Sequence, residues 1–289
     1  MGFHSIVCVK QVPDTANITS EAMTPEGTVN RGALPAIFNP EDLHALETAL
    51  EVRDRFGGTV TVVSMGPPKA AEVLRACLFR GADRAILLTD RRAAASDTLA
   101  TSYILSQAIR TIGNYDLVFC GRQAIDGDTA QTGPQIAEKL DIPQVTYLEE
   151  MVELQECSQG KKAKIRRNTG NGWELVEVRL PALMTVLETA NEPRPLAAKK
   201  VLRYKHASVP AEVDEAKAEA LKERGLLLEQ WTLEDIGAEL DRCGFAGSPT
   251  KVFRVESIVL TKEGFTSVEP TEAGIAGLIQ ELISDRTLG

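Results

Sequence analysis

The chain has 289 residues, 43% hydrophobic and 25% charged, with 41 acidic against 32 basic side chains and a formal net charge of −9. That is an ordinary globular composition with enough apolar material for a full core, in a chain longer than a single domain of about 100 to 200 residues. The acidic balance argues against nucleic acid or an anionic membrane as partner, and no run approaches the roughly 18 apolar residues of a membrane span.

Ser5 to Lys10, Thr59 to Ser64, Ala85 to Thr89 and Leu117 to Cys120 are short apolar runs rich in β-branched residues, as in parallel strands covered on both faces. Longer amphipathic runs lie between them. Asn39-Pro40-Glu41-Asp42 reads as a helix start, with Asn to cap, Pro at the first position and two acids at the positive end of the dipole; Leu43, Leu46 and Leu50 follow, and Gly57-Gly58 closes the segment. Further helices are expected from Lys69 to Arg80, from Thr98 to Ile112 behind Ser96-Asp97, and from near Ala130 to before Pro143, with a fifth strand near Gln144 to Tyr147. The alternation predicts an α/β fold with a doubly wound, mostly parallel sheet of the Rossmann-like, adenine-nucleotide-binding kind.

Residues 151–156, 163–167 and 173–180 read as a meander, a β-ribbon over 150–180, with Asn168 to Gly172 as its turn. The basic residues at 161, 162, 164, 166 and 167 are expected on a solvated edge rather than on nucleic acid. Pro181 to Leu187 can return as a core strand. Asn191 to Pro195 interrupts regular structure, Glu212 to Gln230 reads as a charged helix, Thr232-x-x-Asp235 as a capping box, and Glu272 to Ser284 as a last helix. The stretch 191–289 is too polar for its own core and is expected to wrap around a partner.

The loops after strands one, two and four, Val9 to Asp14, Ser64 to Pro68 and Gly121 to Gly133, point with the Asn39 helix start into one crevice suited to a phosphate or an adenine ring. Neither G-x-G-x-x-G nor G-x-x-x-x-G-K-[ST] is present. Unstructured connections usually run about 2 to 6 residues, and longer polar ones carry function disproportionately. Asp126 and Asp128 read as caps or polar contacts; His4, His44 and His206 lie in unrelated contexts, and no nucleophile–base pair or metal set is evident. The five cysteines (Cys8, Cys77, Cys120, Cys157 and Cys243) lack C-x-x-C spacing and fit a reducing compartment. With no signal peptide at the start, a cytoplasmic protein is expected.

CVKQVPDT at 8–15, NPEDLHALETAL at 39–50, SMGPP at 64–68, GADRAILLTD at 81–90, GRQAIDGDTAQTGPQIAEKLDIPQ at 121–144, NEPRP at 191–195 and GSPTKV at 247–252 resemble, in order, the β subunit of electron transfer flavoproteins. The resemblance implies a heterodimer with an α subunit that holds most of an FAD, and a nucleotide, AMP, in the β subunit's own fold. Carried over position by position, cofactor contacts are expected at Cys8, Asn39, Pro40, Glu41, Asp42, Met65, Gln123, Ala124, Ile125, Asp126, Gly127, Asp128, Thr129, Ala130, Gln131 and Thr132. It implies a domain over 1–190, and over 191–289 a partner-recognition loop and an arm wrapping the α subunit. Asn30-Arg31 and the GDTAQ form of the loop resemble the flavin-bifurcating branch, in which a second FAD replaces AMP and accepts a hydride from NADH; Gly127 and Ala130 leave room for it. A dehydrogenase or reductase partner is implied, but PLAAKKVLRYKHA after Arg194 lacks the family's usual leucine-bearing stretch, which weakens the case for an acyl-CoA dehydrogenase. A stand-alone nucleotide-binding regulator is the alternative from another class; a ligase or sulfurtransferase of similar fold is disfavoured because VKQVPD stands where its pyrophosphate loop would be.

Overall fold

The computed structural model describes residues 2–14, 34–158, 160–251 and 267–284. A nine-stranded sheet forms its centre. β1 (Phe3–Cys8) pairs in parallel with β4 (Gly58–Met65) on one side and with β6 (Leu117–Gly121) on the other. β5 (Arg84–Leu88) continues the sheet beyond β4, and β10 (Ala182–Val186) continues it beyond β6. The winding direction therefore reverses between β1 and β6, the position at which α/β sheets bind ligands beyond their carboxyl ends.

The helices cover the sheet on both faces, which is why its strands read as unbroken apolar runs. On one face α1 (Pro40–Phe56) and α2 (Ala71–Arg80) bury Leu46, Leu50, Leu74 and Cys77 against Val7, Val62, Leu87 and Phe119. On the other, α3 (Thr98–Ile112) and α4 (Thr132–Leu140) bury Ile104, Ile109 and Ile136 against Ile6, Val63, Ile86 and Val118. All four predicted helices are present; α2 is preceded by a short 3-10 turn over Pro68–Ala70.

The predicted fifth strand and the first strand of the ribbon are one element, β7 (Gln144–Cys157), which changes register at Leu148/Glu150 and Met151/Glu153. It does not lie beside β6. The returning segment does: β10, with all five residues buried, is inserted between β6 and β7. β8 (Gly160–Asn168) and β9 (Trp173–Arg179) extend β7 as an antiparallel ribbon. Its basic stripe faces carboxylates: Lys161 pairs with Asp116, Lys162 with Glu177, Arg166 with Glu149 and Glu150, and Arg167 with Glu174.

Three further strands were not expected. β2 (Gln11–Pro13) and β3 (Ala36–Phe38) form a small antiparallel ladder, which brings the start of α1 back to the end of β1; the Asn39 N–H donates to the Lys10 carbonyl. β11 (Glu229–Trp231) joins the free edge of β5, so the charged helix expected over 212–230 is only α6 (Glu215–Glu223). Leu221, Leu226 and Leu228 enter the core beside α2, and Leu233, Ile236 and Cys243 enter the core on the opposite face. Residues up to about 250 thus close over their own sheet. Thr232 and Asp235 do exchange the expected bonds, but around a turn rather than a helix. Two described helices, α5 (Ala198–Tyr204) and α7 (Glu272–Ser284), bury none of their residues. No helix among the described residues is long and apolar enough to cross a membrane.

Candidate functional site

A cavity of about 390 Å³ opens at the reversal point, beyond the carboxyl ends of β1, β4 and β6. Cys8, the last residue of β1, and Cys120, one residue before the end of β6, lie in its floor. Met65 and Val63 form one wall, and residues 126–133 with Ile136 form the opposite one.

The start of α1 builds the cavity without lining it, apart from one side chain. Asn39 does not cap its helix: its side-chain nitrogen donates to the Gln123 carbonyl and its oxygen accepts from the Ile125 N–H, at 2.9 and 3.1 Å. Glu41, buried, accepts from the Gln123 N–H and pairs with Arg122, both at 2.7 Å. Asp42 accepts from the Lys10 N–H at 2.9 Å and from the Gly121 N–H at 3.0 Å. Asn39, just before α1, and Glu41 and Asp42 in its first turn therefore pin the loops after β1 and β6 to each other. A Cβ at Gly121 would stand 2.5 Å from the Asp42 carboxylate, so only glycine admits this approach. Burial pushes the Asp42 carboxyl up to about 7, against the pull of its hydrogen bonds from Asn39, Gly121 and Lys10 and of the Lys10 charge.

Of the expected contacts, Cys8, Asp42, Met65, Gln123, Ala124 and Asp126 to Thr132 line the cavity together; Asn39, Pro40, Glu41 and Ile125 stand behind it. Asn30-Arg31 lie outside the described residues. The cavity also takes in residues beyond the expected contacts, Lys10 among them from the loop expected to face the crevice. Lys10 reaches across the mouth to hold both oxygens of Asp126, at 2.7 and 2.8 Å. Ala93 to Thr98, after β5, supply a further side. The signal for them was Ser96-Asp97, legible only as a helix cap.

Two helix starts face this space, and they differ. At α3, Asp97 already accepts from the Ala100 N–H and from the Thr250 N–H, so a carboxylate occupies the positive end of the dipole. At α4, Gln131 makes no side-chain cap, and Thr132 and Gly133, whose N–H groups open the helix ahead of Pro134, stand in the cavity wall. Asp128 and Ala130 hold left-handed backbone at φ 47° and 52°, which turns the loop back over the cavity at some strain. Gly127 is not left-handed, and a Cβ there would meet no atom within 4 Å. Such a surface of apolar walls, a helix start and two cations, Lys10 and Arg122, each paired with a carboxylate, suits a nucleotide phosphate and its base.

Residues 26–223 match the model of the electron transfer flavoprotein domain. The chain is 43% identical over 284 residues to Protein FixA of Bradyrhizobium diazoefficiens, covering 96% of this chain and 91% of that one. It is 41% identical over 277 residues to the electron transfer flavoprotein subunit beta of Clostridium acetobutylicum, with 96% of both chains covered. With the caffeyl-CoA reductase-Etf complex subunit CarD of Acetobacterium woodii it shares 43% over 250 residues, 86% of each.

Proposed function

We propose, from the premise that the chain belongs to the electron transfer flavoprotein family as a β subunit, that its cavity binds an FAD in addition to the one associated with the α subunit, and that it works in a bifurcating complex. The observation that carries this reading is Gly127. The cavity suits an adenosine and its phosphates, and Gly127, in its wall, has open space where a side chain would begin; there we route the rest of a dinucleotide. The similarity to a subunit of a caffeyl-CoA reductase-Etf complex supports it.

In this reading the N–H groups that open α4 hold the phosphates, Lys10 adds a positive charge at the mouth, and Met65 with Val63 packs against the base. Asn39, Glu41 and Asp42 act on the ligand only through the loops they fix. Bound there, FAD would supply hydride acceptance from NADH and one-electron delivery, while the protein supplies position and electrostatics. For the partner dehydrogenase or reductase we assign α5 and the residues before it. Leu196 and Leu202 are 47% and 68% exposed there, among Lys199, Lys200 and Arg203. Arg194 anchors this segment to α1 through Glu47 and Asp54. A cytoplasmic site of action goes with this reading.

A structural AMP is the second reading, favoured by the Lys10–Asp126 bridge that draws the mouth together. Counting cofactors released from the purified heterodimer separates them. Two flavins and no AMP are expected; one flavin with one AMP would overturn the bifurcating assignment, and a complex with neither would remove the nucleotide site itself.

A further inference from the structure

Cys8 and Cys120 have no role in the nucleotide reading that two small apolar residues would not fill. β1 and β6 run in parallel with Ser5 opposite Leu117, Ile6 opposite Val118 and Val7 opposite Phe119, so the next step sets Cys8 opposite Cys120. Both are free, 9% and 7% exposed, and both line the cavity floor. The other described cysteines are elsewhere: Cys77 is within α2 under one face of the sheet, and Cys243 is in the segment closing the other.

We propose that Cys8 and Cys120 form a dithiol site that captures trivalent arsenicals from within the cavity. Facing residues on neighbouring strands lie about 4.8 Å apart. Both thiols are free, and the side-chain hydrogen bond between them sets the two sulfurs close enough for one atom to bridge them. The ligand class follows from charge. Burial and the hydrogen bond to Cys8 hold the Cys120 thiol well above the ordinary thiol range, the hydrogen bond being the larger cause. A metal ion would need thiolates in this setting, and no group of three or more His, Cys, Asp or Glu able to hold a metal exists among the described residues. An arsonous acid, R–As(OH)2, needs only the neutral thiols. Two As–O bonds break and two As–S bonds form, each S–H proton leaves with a hydroxyl as water, and arsenic stays trivalent. The product is uncharged and needs no oxidant. It would occupy the cavity floor.

The inference rests on sheet register and not on which nucleotide binds. Incubate the full-length chain with phenylarsine oxide, wash with excess glutathione, and weigh the intact protein. One phenylarsenic group per chain is expected, resistant to the monothiol and removed by dithiothreitol. Cys8→Ser and Cys120→Ser should each abolish the resistant adduct while Cys157→Ser retains it, with circular dichroism confirming folded protein. Alanine at either position gives the same reading where serine disturbs the sheet. A resistant adduct surviving in a Cys8 or Cys120 variant, or none in the unaltered chain, would overturn the site.

Discussion

Two glycines of one loop make opposite demands. A Cβ at Gly121 collides with Asp42 and the backbone of Glu41 within 2.7 Å, whereas one at Gly127 meets nothing. Gly121→Ala should therefore destabilise the fold by about 2 to 4 kcal/mol, as overpacking against backbone does, read by urea unfolding. Gly127→Phe has open space at its Cβ, so it should leave the melting temperature within about 2 °C and, on the proposed route of the dinucleotide, lower nucleotide affinity at least tenfold. Equal affinity in calorimetry would remove Gly127 from that route. Asp42 carries a second prediction. Its carboxyl ionises near 3.8 in the unfolded chain and near 7 in the fold, so between those values the folded state holds the extra proton. Stability from this group is then full below about pH 4 and declines as pH rises to 7, by up to about 4 kcal/mol. Thermal unfolding of Asp42→Asn from pH 4 to 8 should lack that decline; an unchanged slope would show that Asp42 is not its source. Sequence revealed the acids at 41 and 42 as helix-start residues, a local role. Their burial depends on a loop about 80 positions later, which no local pattern reports.

At the scale of elements, local signals located what local chemistry determines. α3 starts behind Ser96-Asp97 and spans Thr98–Ile112 as expected, because its caps, Asp97 and Gly113, each act within one turn. The sheet order was not local. β10 lies between β6 and β7 because an apolar five-residue strand gains most in the interior, whereas long, amphipathic β7 can serve an edge ribbon. The segment 191–195 shows the same limit. It reads as irregular, yet Asn191 bonds the His44 carbonyl and Thr48, and Arg194 holds Glu47 through a fork of bonds at 2.9 to 3.0 Å. Glu47 is 5% exposed. Arg194→Ala leaves that carboxylate buried without its cation, at a cost of about 3 kcal/mol. The double variant Arg194→Ala with Glu47→Gln should recover part of it. If the single variant unfolds at the same urea concentration as the parent, the anchor contributes nothing.

The whole molecule sorts its C-terminal hundred residues into two kinds, where composition suggested one. The stretch to about residue 250 is polar because it lies on the surface of its own sheet, contributing a few apolar anchors such as Leu228 and Leu233 and the edge strand β11. α7 differs. Ile275, Leu278, Ile279 and Ile283 fall on one helical stripe and are 39 to 53% exposed, and a 13-residue helix has little stability in water without an apolar partner. In the proposed heterodimer that partner is the α subunit, and the two kinds of tail should then respond oppositely to mutation. Leu233→Ala removes a fully buried side chain and should destabilise the isolated chain by about 2 to 4 kcal/mol. Ile279→Glu should leave the isolated chain's melting temperature unchanged within about 2 °C, because no described residue buries it, and should weaken association with the α subunit at least tenfold. Glu281→Lys, off the stripe, is the control for charge alone. Association measured by analytical ultracentrifugation decides it: Ile279→Glu binding the α subunit as tightly as the parent would mean that α7 does not carry the interface, whatever its apolar face suggests.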